Sequence, residues 1–243
     1  MCLSASTHSK RSGPRRVPAS SFSPSSRGRL TDRDRDRFQG ETLFARIGRA
    51  VCRAGCLPRK ELFESWETAK RVRRLFRGGR IVDLCGGHGL LAQVLLLLDS
   101  SSPAALVADT ALPPSHAAVY AALADAWPRL RDRVAFVTAS IEDVHLEVDD
   151  LVVSIHACGA LTDRVLARAI AARARVAVVP CCQDAASCDT GRLDGWLDAA
   201  TAIDVQRASR LAQARYRVWT QTIPPAITPQ NRLLIGQPIE RAR

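Results

Sequence analysis

Residues 80–95 run Arg-Ile-Val-Asp-Leu-Cys-Gly-Gly-His-Gly-Leu-Leu-Ala-Gln-Val-Leu, and no other stretch limits the fold as strongly. The apolar run predicts a strand over residues 80–85. Gly86, Gly87 and Gly89 follow, and a helix over Leu90–Leu98 starts with no linker. Glycine lets the backbone turn tightly and lets a ligand approach with no Cβ in the way. The helix N-terminus presents N–H groups that the helix itself leaves unpaired. In a parallel α/β sheet, this strand–turn–helix crevice takes nucleotide-like ligands.

The rest of the chain repeats the same texture. Strands are expected at Ala105–Asp109, Val134–Thr138 and residues 151–155 and 175–179, with helices at Ser115–Ala126 and residues 163–172. This βαβα rhythm argues for a parallel sheet covered on both faces. The C-terminal end departs from it. A helix around residues 193–213 precedes strands at 216–223 and 232–236, joined by a proline-rich loop, which reads as a terminal hairpin. Before the glycine turn, two helical patterns occupy residues 41–79. Residues 1–40, rich in Ser, Arg and Pro, are expected to be a disordered basic tail or a transit-like segment. The expected division is therefore 1–40 tail, 41–79 helical extension and 80–243 main domain.

Composition bounds the setting. Apolar residues make up 47% of the 243, enough for a sizeable core. The eight cysteines have no regular spacing and no secretory segment accompanies them, so reduced thiols and an intracellular, most simply cytoplasmic, location are expected. Organelle import would follow if the N-terminus is a transit peptide. The longest apolar run, Leu90–Leu98, is broken by Gln93 and is too short to span a bilayer. The net charge of +11 is uneven. Nine Lys/Arg face three Asp in residues 1–40, eleven face four Glu in 41–80, and fifteen Arg face seventeen acids in the remainder. Basic helices ahead of the sheet would suit a polyanion such as RNA, or serve only as a solvated face.

The glycines alone leave the ligand open, because Gly87 to Ala92 also fits the dinucleotide pattern G-x-G-x-x-A. Asp109 would accept ribose hydroxyls in either NAD or S-adenosylmethionine. Asp83, at the strand end, favours the second through its cationic amino-acid part. Residues 140–143, Ser-Ile-Glu-Asp, follow the third strand, where the class I methyltransferase fold that this hairpin-closed sheet resembles holds the adenine. The candidate cofactor-binding set is Asp83, Cys85, Gly86, Gly87, Gly89, Asp109, Ser140, Ile141, Glu142 and His156.

Two further motifs follow the fourth and fifth strands: Ser-Ile-His-Ala-Cys-Gly-Ala-Leu-Thr-Asp at 154–163 and Val-Pro-Cys-Cys-Gln-Asp at 179–184. With DLCGGHG at 83–89, they resemble one branch of the class I S-adenosylmethionine-dependent methyltransferases. That branch carries DLCxGxG, HxCGxxTD and CC in this order, and includes a tRNA ribose 2′-O-methyltransferase family. The resemblance implies a Rossmann-like, seven-stranded, mostly parallel sheet with helices on both faces, a C-terminal antiparallel hairpin and helices ahead of it. It also implies S-adenosylmethionine as cofactor and methyl transfer as activity. The tRNA enzymes carry zinc-binding modules near the N-terminus. Here Cys52 and Cys56 have no second pair, and no metal is expected.

Candidate catalytic residues are His156, as a proton acceptor or a histidine that shapes the pocket, and Asp163, which would orient His156 or a substrate, or cap a helix with Thr162. Cys158, Cys181 and Cys182 are expected to pack as small hydrophobes rather than form a metal cluster. His88 is expected to support the glycine turn or touch the ligand, and residues 58–67 to fold over the cofactor site, with Lys60 and Glu64 as the pocket contacts and Trp66 in the core. The expected function is methyl transfer to RNA docked on the basic N-terminal helices. The alternatives are a small-molecule or protein acceptor, an NAD-dependent oxidoreductase, or a module that binds S-adenosylmethionine without turnover. No Asn-Pro-Pro-Tyr-like motif is present, which favours a hydroxyl over an amino acceptor.

Overall fold

A computed structural model describes residues 22–240. Helices α1 (Leu43–Ala54) and α2 (Arg59–Leu75) precede the sheet. Then follow β1 (Ile81–Leu84), α3 (Leu90–Leu98), β2 (Ala105–Asp109), α4 (Ser115–Ala126), β3 (Val134–Thr138) and β4 (Leu151–Ser154). The chain continues through α5 (Ala160–Ala172), β5 (Arg175–Val178), α6 (Ala199–Gln213), β6 (Tyr216–Thr222) and β7 (Arg232–Pro238). Among the described residues, seven strands form one sheet in the order β3-β2-β1-β4-β5-β7-β6. The first five are parallel, and β7 runs antiparallel to both β5 and β6. This is the expected Rossmann-like sheet closed by a hairpin.

Alternation along the strands sorts the core into two layers. Ile81, Val107 and Val153 face α1–α4, whereas Val82, Ala108 and Val152 face α5 and α6. Helix α3 is buried from Leu90 to Leu97, which explains its lack of amphipathic pattern. Its one polar residue, Gln93, donates from Nε2 to the Gly89 carbonyl at 3.2 Å.

Three expectations need correction. Residues 22–40 are not a tail. Leu30 is fully buried, its N–H donates to the Leu57 carbonyl at 2.8 Å, and Arg59 lies 3.6 Å over the Phe22 ring. Phe22, Leu30 and Phe38 are single apolar anchors that an average over a polar segment hides. Residues 1–21, which carry the remainder of the tail expectation, lie outside the described residues. Helix α6 begins at Ala199 rather than near residue 193, capped by Asp198, whose carboxylate accepts the Thr201 N–H at 3.0 Å. Helix α5 begins three residues before Asp163, so Thr162 is inside its first turn and donates to the Ala157 carbonyl instead of capping.

Candidate active site

The turn after β1 requires its glycines. Cys85, Gly87 and Gly89 all have positive φ, at 56°, 51° and 71°. A Cβ on Gly89 would stand 2.8 Å from Phe136 Cε1 and 2.9 Å from Val107 Cγ2. One on Gly86 would stand 2.8 Å from Asp83 Cγ. The turn closes through a 2.8 Å bond from the Gly89 N–H to the Gly86 carbonyl. Asp109, at the end of β2, braces it by accepting the Gly87 N–H at 3.0 Å through Oδ2. Its Oδ1 has only a 3.4 Å bond from the Ala111 N–H and stays available to a ligand.

These ends of the parallel strands open onto a cavity of about 500 Å³. Cys85, Gly87, Asp109, Ser140, Ile141 and His156 line it, as expected from the sequence. Gly86 and Gly89 shape the turn from behind. Asp83 is not in the wall. It lies fully buried beneath the turn, held by the Ala92 N–H, and burial pushes its carboxyl up to about 8. Asp83 Oδ1 has no partner among the described residues. Glu142 is not in the wall either, and it pairs with Arg164 at 2.7 Å. Lys60 and Glu64 do not reach the cavity either. They pair with each other at 3.0 Å along α2.

The residue between them does. Glu61, with Pro58 and Leu57, closes the cavity opposite the strand ends. Its carboxylate meets His88 Nε2, while His88 Nδ1 accepts the Leu90 N–H at 3.2 Å. With Nδ1 accepting from the backbone, Nε2 faces Glu61 as the donor. Burial is the largest single influence and raises the Glu61 carboxyl, but the His88 bond and neighbouring cationic groups together leave it below its ordinary range. The His156 ring lies 6.2 Å from the His88 ring, and its Nε2 has no partner among the described residues. Burial pulls this imidazole below its ordinary range, so it is neutral and able to accept a proton.

Asp163 sits elsewhere. It receives Arg207 at 2.8 Å and Arg210 at 3.0 Å, joining α5 to α6, and does not line the cavity. Arg207 also donates to the Gly159 carbonyl at 2.9 Å, which holds the loop after β4 in place. Sequence reasoning missed Glu61, Arg164 and Leu161. The signal for Glu61 was His88 itself, a ring inside a glycine turn that needs an outside partner.

Two trios among the described residues have potential metal-ligand atoms within 4.8 Å of one another. They are Glu61 with His88 and His156, and Cys158 with Cys181 and Cys182. The thiols are not the packed hydrophobes expected, since Cys158 and Cys182 are exposed.

A family model described as a methyltransferase domain matches residues 64–188, just over half of the chain. None of the curated proteins compared matches. The fold is similar to the S-adenosylmethionine-dependent methyltransferase SibL in its apo form, at 20% identity and a TM-score of 0.50, covering 84% of this chain and 65% of that one. An O-methyltransferase family protein from Burkholderia thailandensis is 17% identical with a TM-score of 0.49, covering 86% and 63%. The chain thus spans a little under two thirds of the length of these two solved structures.

Proposed function

The chain belongs to the methyltransferase-domain family, and on that premise we propose that it moves a methyl group from S-adenosylmethionine to a small-molecule hydroxyl. The residues present fit this cofactor. Gly86 and Gly89 pack the turn onto Asp83, Val107 and Phe136 with no room for a Cβ, which leaves Gly87 and Asp109 facing the cavity. The turn at Gly87 would take the methionine part, Asp109 Oδ1 the ribose hydroxyls, and Ile141 with Ser140 the adenine edge. When bound, the cofactor supplies an electrophilic methyl group, and the protein has to align an acceptor with it and remove one proton.

The observation that carries the reading is His156 Nε2, buried at the cavity wall without a partner. An acceptor hydroxyl placed there would donate its proton to that nitrogen as the oxygen attacks. Glu61 and His88 form the opposing wall, and their fixed hydrogen bond orients the acceptor and excludes water.

A small molecule is favoured over RNA because, among the described residues, much of the basic surplus is engaged within the chain. Arg59 stacks on Phe22 near Asp34, and Arg49 binds the Phe38 and Gly40 carbonyls at 2.7 Å. Arg71 reaches the Thr222 carbonyl at 3.0 Å, Arg73 is buried against Asp99 at 3.2 Å, and Arg77 reaches the Leu98 carbonyl at 3.0 Å. Arg59 and Arg49 tie residues 22–40 to the N-terminal helices, Arg73 and Arg77 reach the end of α3, and Arg71 reaches β6. Cys85, Gly87 and His88 of the DLCxGxG motif and His156 of the HxCGxxTD motif line the cavity, whereas Cys181 and Cys182 do not.

The test is methyl transfer from labelled S-adenosylmethionine to a panel of hydroxylated small molecules and, separately, to total RNA. The expected result is label in a small molecule, reduced about 10²–10⁴-fold in His156→Asn, with cofactor affinity kept. Label confined to RNA would overturn the acceptor assignment.

A further inference from the structure

We propose that Cys158, Cys181 and Cys182, in the loops after β4 and β5, form a zinc site with three thiolate ligands and an open fourth position. Cys158 leaves the end of β4 and the vicinal pair leaves the end of β5, so two neighbouring parallel strands deliver the sulfurs to one point. A 3.2 Å bond from the Gly159 N–H to the Cys182 carbonyl ties the two loops together. Arg207, 1% exposed, anchors the first of them through the Gly159 carbonyl. The ligands are therefore held in place by the backbone.

The spacing suits a shared cation. Cys158 Sγ lies 2.9 Å from Cys181 Sγ and 3.4 Å from Cys182 Sγ. A disulfide needs about 2.05 Å. Thiolates at about 2.3 Å from a tetrahedral zinc ion stand about 3.8 Å apart, a small side-chain rotation from what is seen. A pure thiol set selects a soft or borderline cation over magnesium or calcium, whose ligands are oxygens. Exposure of Cys158 and Cys182 gives the ion an entry path and leaves a coordination position for water or a soft donor. Binding would release the thiol protons to solvent, because the ligand form is the thiolate.

Metal binding here does not depend on methyl transfer, so the two readings fail separately. The experiment is cobalt titration of the full, reduced chain, with zinc competition. The expected result is one cobalt per chain with a thiolate-to-cobalt charge-transfer band that zinc abolishes. Cys181→Ser and Cys182→Ser should each weaken binding at least tenfold, and Cys52→Ala should leave the band unchanged. If a serine variant does not fold, zinc protection of the trio from alkylation in the unmodified chain replaces it, with at least a tenfold slower reaction expected. No charge-transfer band and no protection in the fully reduced chain would overturn the proposal. So would peptide mapping that finds a Cys158–Cys181 disulfide in protein that takes up no cobalt after reduction.

Discussion

At the scale of the residue, Gly89 shows how tightly the turn is built. Any side chain there meets Phe136 and Val107 on a backbone already at φ +71°. Gly89→Ala should weaken S-adenosylmethionine binding at least tenfold and cost about 1–3 kcal/mol of stability, read by calorimetry and urea unfolding. Asp83 gives a pH prediction. Its folded carboxyl holds a proton up to about 8, whereas an unfolded aspartate releases it near about 3.9. The stability tied to that proton is complete below the unfolded value and is lost as pH rises through the folded one. Urea midpoints should therefore fall between pH 5 and pH 9, and Asp83→Asn should flatten the decline; equal slopes would contradict this account of Asp83. The cavity-facing residues Asp109, Ser140, Ile141 and His156 were legible beside the glycine turn, because position at a strand end fixes what a residue faces. Glu61 was not, since a one-residue step along a helix rotates a side chain by about 100° and the packing of α2 decides which one faces inward.

At the scale of the element, the strands were easily read, because short apolar runs between turn residues leave few alternatives. Helix α6 was not. Leu193, Trp196 and Leu197 extend its apolar texture backward, yet Trp196 is 89% exposed and the helix begins only after Asp198. Asp163 was read as a catalytic candidate from its motif, whereas the fold uses it as the anion that receives α6. Arg207 stands between Asp163 and Asp204, at 2.8 Å and 3.1 Å, and its removal would leave both carboxylates without this partner. Arg207→Met should cost about 3–5 kcal/mol in chemical denaturation. Asp163→Asn should lower stability more than turnover; the reverse order would return Asp163 to the chemistry.

At the scale of the whole molecule, residues 22–79 are part of the fold rather than an appendage. Leu30→Ala should cost about 2–5 kcal/mol, as expected for a fully buried leucine, and a change within error would mean that residues 22–40 do not pack as described. Composition could not show this, since a few apolar anchors in a polar stretch carry the contacts. No helix among the described residues is long and apolar enough to cross a membrane. The central claim is that one cavity, formed by the glycine turn, Asp109 and His156, holds S-adenosylmethionine. Its most direct test is calorimetric titration of the chain with S-adenosylmethionine and with NAD, beside Asp109→Ala. The account predicts saturable binding of S-adenosylmethionine that Asp109→Ala weakens at least tenfold, and no NAD binding. A preference for NAD, or S-adenosylmethionine binding indifferent to Asp109, would contradict it.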